Sequence, residues 1–182
     1  LIQAYTLARD GLTPSTRDEA QRFLRTLAEG YIARTDGAKR PLSTTWINNW
    51  QSHRIKIMAM ASAALGDRAL IAQTHRLFLQ QLANNVRPDG SVEDFEDRDA
   101  LHYVVYDLEP LTMAAIAVQP FSHVPFDKTR KDAGLPGYSG PWEPKGAGTL
   151  YWQAARLDPN YRPLAERLAA TAPDWLALCA AR

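Results

Sequence analysis

Apolar residues at helical spacing are the feature of this chain that most constrains its fold. Apolar side chains recur every three to four positions in long segments, and no stretch shows the alternation of apolar and polar residues that is typical of a strand. Gly66-Asp67 separates two of these segments, and such a pair ends one helix and caps the next. The sequence therefore predicts a tight helical hairpin here and an all-α fold for the chain.

Capping residues and apolar spacing together predict six helices. The first is expected over about 15–35, where Ser15 is the cap and Asp18 lies three residues after it. The second runs from the Ser43-Thr44-Thr45 cap to Gly66 and carries Trp46 and Ile47, and the third runs from Asp67 to Asn84-Asn85. The others are expected from the acidic run at 93–97 to about Val118, over about 146–157 and over about 162–180. Paired helices of similar length are typical of a toroid or a solenoid. No repeat consensus favours the solenoid.

Composition narrows the class of protein. The chain has 182 residues, of which 46% are hydrophobic, which is enough for one domain with a sizeable core. Its apolar runs are too short to cross a bilayer, so we expect no membrane partner. The net charge is +1 with acids and bases interspersed, so a nucleic-acid partner is not expected either. The single Cys179 is typical of a buried structural thiol.

One stripe of residues predicts acid–base chemistry. Arg98, His102 and Tyr106 lie at i, i+4 and i+8, so a helix would place them on one face. They supply a fixed cation, a group that titrates near neutrality and a high-pKa proton carrier, which suits elimination beside a carboxylate. The alternative is a half-buried helix face on which Arg98 pairs with an acid.

A second segment combines amides with indoles. Asn49 and His53 are four residues apart, and Trp46 and Trp50 mark a neighbouring face. Amides can hold a carboxylate, and indole faces stack on sugar rings, so the segment suits an acidic carbohydrate. The alternative is that both tryptophans lie in the core and that the amides cap a helix or point to water.

Both segments resemble the alginate lyase superfamily of helical-toroid polysaccharide lyases, and the resemblance covers most of the chain. The mannuronate lyases of that superfamily carry Asn-Asn-His on one helix and, further on, Arg followed by Ala-Leu-x-Tyr-x-x-Tyr-x-Leu-x-Pro-Leu. This chain has Asn48-Asn49 and then Ala100-Leu101-His102-Tyr103-Val104-Val105-Tyr106-Asp107-Leu108-Glu109-Pro110-Leu111. The resemblance implies an (α/α) toroid-like array of antiparallel helix pairs.

By position, Asn49 resembles the residue that neutralises the uronate carboxylate, and Tyr106 resembles the catalytic tyrosine at the glycosidic oxygen. The chain departs from the family pattern at two places. Trp50 stands where the family has its histidine, and Asp99 stands where it has its arginine, with Arg98 one residue earlier. The roles of that histidine and that arginine are therefore open.

His102 or His53 could replace the missing imidazole, and Arg98 could reach the carboxylate from its shifted position. The implied reaction is β-elimination at a uronic acid, in which His102 or Tyr106 takes the C5 proton and Tyr106 protonates the leaving oxygen. The expected catalytic residues are Asn49, Arg98, His102 and Tyr106. The expected substrate-binding residues are Asn48, Trp50, His53, Tyr103, Lys145 and Tyr151. Lys145 and Tyr151 also form a reserve pair, should the catalytic tyrosine come from a later helix.

The expected partner is thus an acidic polysaccharide, either alginate-like or glucuronan. The four histidines lack metal-ligand spacing, and no phosphate-binding glycine pattern is present, so no metal or cofactor is expected. The long Pro- and Gly-rich segment at 120–144 is a candidate substrate-facing loop, in which Lys128, Arg130 and Lys131 could line an anion path. A competing hypothesis is a non-catalytic carbohydrate-binding or scaffold protein of the same fold. The polymer, endo or exo action and the oligomeric state stay open.

The chain opens at Leu1 without an initiator Met or a signal segment. We therefore expect residues 1–182 to be one helical domain, the C-terminal part of a longer chain that forms an incomplete toroid. The resemblance implies a periplasmic or secreted location.

Overall fold

The structure, a computed structural model, describes residues 1–88, 90–98, 101–119 and 144–168, and these residues form an all-α fold. The α-helices are α1 (Ile2–Ala8), α2 (Pro14–Asp36), α3 (Asn49–Leu65), α4 (Arg68–Asn85), α5 (Glu93–Arg98), α6 (Leu101–Val118), α7 (Pro144–Leu157) and α8 (Arg162–Leu168). Short 3-10 turns lie at Arg9–Gly11, Thr44–Trp46 and Pro159–Tyr161. Within the described ranges no helix is both long and apolar enough for a membrane crossing.

The hairpin of α3 and α4 confirms the sequence prediction. Gly66 ends α3 in the left-handed conformation, with φ of 65°, which a residue without a Cβ adopts at little cost. Asp67 then caps α4, since its Oδ1 accepts hydrogen bonds from the backbone nitrogens of Ala69 and Leu70. Two successive residues thus reverse the chain, and α3 packs against α4.

Two helix starts differ from the prediction. The first predicted helix is α2, and its cap is Thr13, not Ser15, because Thr13 Oγ1 accepts from the nitrogen of Thr16 and Pro14 takes the first helical position. The helix expected from the Ser43-Thr44-Thr45 cap begins later, at Asn49. The segment Thr44–Trp46 forms a separate 3-10 turn, so Trp46 precedes α3.

The helix expected to carry the stripe is described as two helices, α5 and α6. Pro110 lies inside α6 and is buried. Because proline has no backbone N–H, it cannot donate to the carbonyl of Tyr106, one turn earlier. The helical path through α6 therefore leaves the Tyr106 carbonyl without its usual intrahelical donor.

The core lies around α3, which packs against α2, α4 and α6. Ile55, Met58 and Ala59 of α3 are fully buried, and Ala114 of α6 is fully buried beside them. Farther along the chain, α6 packs against α7 and α7 against α8. Only Arg162–Leu168 of the helix expected over 162–180 belongs to the described residues, and the segment 120–143 lies outside them. Closure of the helix pairs into a toroid stays a prediction.

Candidate active site

An open groove of about 500 Å³ brings the two sequence motifs together. The residues that line it are Asn49, Trp50 and His53 from α3, and His102, Tyr103 and Tyr106 from α6. All six are residues that the sequence predicted to be catalytic or substrate-binding. The two groups of residues are distant in the chain, and the packing of α3 against α6 brings them together.

His53 and Tyr106 are in ring contact across this groove. Their ring centroids lie 4.8 Å apart, with an angle of 52° between the planes. The Tyr106 side chain is 50% exposed, so its phenol is open to a ligand. Tyr103 meets Tyr106 edge to face at 6.4 Å, and His102 lies 4.4 Å from Tyr103. The four rings form a continuous aromatic wall.

The environment of His53 keeps its imidazole neutral. Burial, together with the positive charge of Lys56, lowers the pKa of His53 to about 4. Its Nε2 is buried and has no hydrogen-bond partner among the described residues. At neutral pH the ring is therefore an uncharged proton acceptor beside a phenol.

Asn49 is the first residue of α3 and is almost completely buried. Its backbone nitrogen donates to Oδ2 of Asp94 over 2.7 Å, which ties the start of α3 to α5. Its side-chain Oδ1 is buried without a hydrogen-bond partner within the described ranges. A buried amide with an unused acceptor is costly unless a ligand completes it. Asn49 is therefore a candidate ligand contact.

Asn48 was expected to bind substrate, but the structure places it at the start of α3 and not in the groove. Its Oδ1 accepts from the backbone nitrogen of Trp50 over 3.1 Å, so Asn48 is the N-cap of α3. The side chain is buried and does not line the groove. Trp50 lines the groove with 59% of its surface exposed.

A buried polar network that was not predicted from the sequence lies behind the groove. Nδ2 of Asn85 donates to Oδ2 of Asp107 over 2.6 Å and to Oγ of Ser52 over 3.3 Å. Gln81 also donates to Oγ of Ser52. Ser52 precedes His53, and Asp107 follows Tyr106. The network therefore fixes α3 and α6 next to the two residues that meet in the groove.

Asp107 and Asp94 are both fully buried. Burial raises the pKa of Asp107 to about 6, although hydrogen bonds from Ser52 and Asn85 oppose the rise, and the charge of Asp94 adds to it. Asp94 belongs to the acidic run that the sequence predicted to begin a helix, and the structure buries its side chain completely. Asp107 carried a usable signal, because it is a carboxylate within a mostly apolar helical segment.

Several predicted residues either lie outside the described part of the chain or do not line the groove. The side chains of Arg98 and Lys145 lie outside the described part, as do Asp99, Lys128, Arg130 and Lys131. Tyr151 lies on α7, its ring 6.1 Å from that of Tyr161, and it does not line the groove. Among the described residues no group of His, Cys, Asp and Glu could hold a metal ion.

Comparison with known proteins gives one match. A family model described as alginate lyase matches residues 1–134. The matched range contains all six residues of the groove, whereas Lys145 and Tyr151 lie beyond it. No curated protein and no solved structure matches the chain.

Proposed function

The chain belongs to the alginate lyase family, and on that premise we propose that it cleaves a uronic-acid polymer by β-elimination in the groove between α3 and α6. The observation that carries this proposal is the contact between His53 and Tyr106. A neutral imidazole and an exposed phenol with ring centroids 4.8 Å apart provide a proton acceptor and a proton donor in one open groove.

The first requirement of the reaction is an acidic C5 proton. A uronate carboxylate makes that proton a poor acid until its negative charge is offset by hydrogen bonds. Asn49 supplies an amide at the groove, and its side-chain nitrogen can donate a hydrogen bond to the carboxylate. Arg98 is the proposed second donor to the carboxylate.

The second requirement is a pair of proton transfers. The imidazole of His53 takes the C5 proton, the C–H electron pair forms the C4–C5 double bond, and the C4–O4 bond breaks. The phenol of Tyr106 gives its proton to O4, which leaves as the hydroxyl of the departing sugar chain. The imidazolium of His53 then returns its proton to the Tyr106 phenolate, and the ring contact of the two residues supports this return.

The remaining groove residues suit a sugar chain. His102 and Tyr103 extend the aromatic wall beside Tyr106, and Trp50 presents an exposed indole on the α3 side. Aromatic faces with polar edges pack against pyranose rings. We propose that these three residues hold the sugars next to the cleaved bond, and that the substrate is alginate-like or glucuronan.

A polymer panel tests the proposal. The protein is incubated with polymannuronate, polyguluronate, glucuronan and a neutral glucan, and ultraviolet absorbance of the conjugated unsaturated uronate is followed. A rise with one or more polyuronates and none with the glucan is the expected result. The proposal is contradicted if a protein that includes any upstream helices gives no rise in absorbance with each of the polyuronates.

The exposed indole of Trp50 favours a second candidate function. It stands at the position of the family's histidine and offers a stacking surface with no acid–base capacity. A non-catalytic carbohydrate-binding protein would use this surface and make no unsaturated product. Calorimetric binding of polyuronate together with a flat absorbance trace is the result that would favour it.

A further inference from the structure

Two arginines share one tryptophan outside the residues that line the groove. The guanidinium carbon of Arg54 lies 4.5 Å from the ring centroid of Trp46, and that of Arg34 lies 5.9 Å from the same centroid. Arg34 comes from α2, Trp46 from the 3-10 turn before α3, and Arg54 from α3. Three separate elements thus converge on one cationic cluster.

The cluster has no acidic partner within the described ranges. Other arginines there are paired: Arg25 with Asp67, Arg76 with Asp36 and Arg162 with Glu166. Arg34 and Arg54 form no such ion pair with a described carboxylate. Burial lowers the pKa of Arg54, and the positive charge of Arg34 also contributes to this lowering. Two like charges held together without an anion favour binding of an anionic ligand.

The donors of Arg54 are only partly used. Nη1 donates to the carbonyl of Thr45 over 2.6 Å and to Oε1 of Gln51 over 3.2 Å. Those bonds and the indole hold the guanidinium in place, while Nε and Nη2 make no hydrogen bond to a described residue. A fixed guanidinium with an unused edge is suited to a carboxylate, which it can bind with two parallel hydrogen bonds.

The cluster lies next to the groove along α3. Arg54 follows Trp50 by four residues, so the two side chains lie on the same face of the helix. Trp50 lines the groove. A polymer that occupies the groove and continues along α3 would reach the cluster with a later sugar.

We propose that Arg34 and Arg54, held against Trp46, bind the carboxylate of a second uronate residue of the polymer. This inference rests on the proposed function, because it takes the polymer in the groove to be a polyuronate. The cluster would add affinity for longer chains and would favour acidic chains over neutral ones.

Matched variants test the cluster. Arg34→Gln removes one guanidinium that lies 5.9 Å from an indole, and Arg162→Gln removes another at the same 5.9 Å from Trp152, but one already paired with Glu166. Dissociation constants for a mannuronate hexasaccharide, a mannuronate disaccharide and a neutral glucan hexasaccharide are measured by calorimetry. The Tyr106→Phe background prevents cleavage during the measurement.

We expect Arg34→Gln to weaken hexasaccharide binding about fivefold at low salt, and less at high salt, as for a partly exposed charge pair. Arg162→Gln should change it less than about twofold. The loss should be smaller for the disaccharide, which is too short to extend from the groove. Arg54→Gln is a second variant, with circular dichroism to verify folding because Arg54 also bonds the backbone.

Equal hexasaccharide affinity in Arg34→Gln and Arg162→Gln would overturn the proposal, as would an equal loss for the neutral glucan. Failure of the proposed function looks different, because unaltered protein would then make no unsaturated product from any polyuronate. In that case the same constants are measured in the unaltered background, and the effect of Arg34→Gln on hexasaccharide binding still decides the role of the cluster.

Discussion

Asp107 accepts a hydrogen bond from Asn85 over 2.6 Å at a position fully shielded from solvent. The bond joins α6 to α4, one residue after Tyr106. Asn85 also bonds Ser52 on α3, so one amide connects the two helices that form the groove. The arrangement of the aromatic groove therefore depends on a polar network whose members do not line the groove themselves.

Burial of Asp107 predicts an unusual pH dependence of stability. Its pKa is raised from 3.8 to about 6 in the folded protein, so the folded state binds this proton more tightly than the unfolded state. Its contribution is fully present below about pH 4 and is lost as the pH rises through about 6. Urea unfolding should therefore give a difference between the parent and Asp107→Asn that changes by on the order of 3 kcal/mol between pH 4 and 8. Parallel pH curves would contradict this, and Asp18→Asn on the exposed side of α2 is the control.

Asp94 should stabilise the start of α3. Asp94→Ala removes the acceptor of the Asn49 backbone N–H and leaves that buried donor unpaired, which costs about 1–3 kcal/mol. Asp94→Asn keeps an acceptor oxygen and should recover part of that free energy. Urea unfolding and kcat/KM are measured for both variants. If Asp94 positions Asn49, activity falls more in the alanine variant than in the asparagine variant, whereas equal kcat/KM in both would show that the bond does not act on the groove.

The sequence predicted the helices and the groove residues for identifiable reasons. Gly66-Asp67 is a local signal, because a left-handed glycine and a side-chain cap need only their own neighbours. The groove residues came from motif spacing and from the resemblance. Their meeting depends on the packing of α3 against α6, and spacing within one segment cannot give that. His53 could be offered only as one of two imidazoles, whereas the structure brings its ring to Tyr106.

The buried network could not be predicted as a whole, because Asp107 carries a sequence signal but its partners Asn85 and Ser52 are ordinary polar residues in separate segments. Asp94 stands in an acidic run whose other members give the same sequence signal, and only its contact with Asn49 distinguishes it. The start of α3 was placed too early for a related reason. Ser43, Thr44 and Asn48 are all good caps, and the competition between them is decided by the 3-10 turn that precedes Asn49.

Tyr106→Phe should lower kcat by about 10²–10⁴, the usual contribution of a positioned proton donor. The phenyl ring keeps the contact with His53, so the melting temperature should change little. Turnover is followed by absorbance of the unsaturated uronate, with Tyr103→Phe as the control from the same aromatic wall. Full activity of Tyr106→Phe would redirect the assignment to Tyr151.

The lowered pKa of His53 predicts where the acid limb of the pH–rate profile lies. A base with a pKa of about 4 in the folded protein is deprotonated over most of the pH range, so kcat/KM should fall only below about pH 4. His53→Gln should remove this limb and lower kcat by about 10²–10⁴. The folded pKa lies below the unfolded value, so protonation of His53 also costs stability as the pH falls from about 6.5 toward 4. Circular dichroism at each pH separates the two effects, and an acid limb centred near pH 6.5 would exclude His53 as the base.

Variants at position 48 distinguish a structural role of Asn48 from a substrate-binding role. As the N-cap of α3, its Oδ1 accepts from the Trp50 nitrogen, so Asn48→Ala should cost about 1 kcal/mol of unfolding free energy. Asn48→Ser retains a capping oxygen and should recover most of that loss, but it lacks the amide that a sugar would bind. If Asn48 only caps the helix, KM for polyuronate in the serine variant equals that of the parent. A raised KM with normal stability in Asn48→Ser would restore Asn48 to the substrate contacts that its sequence motif implied.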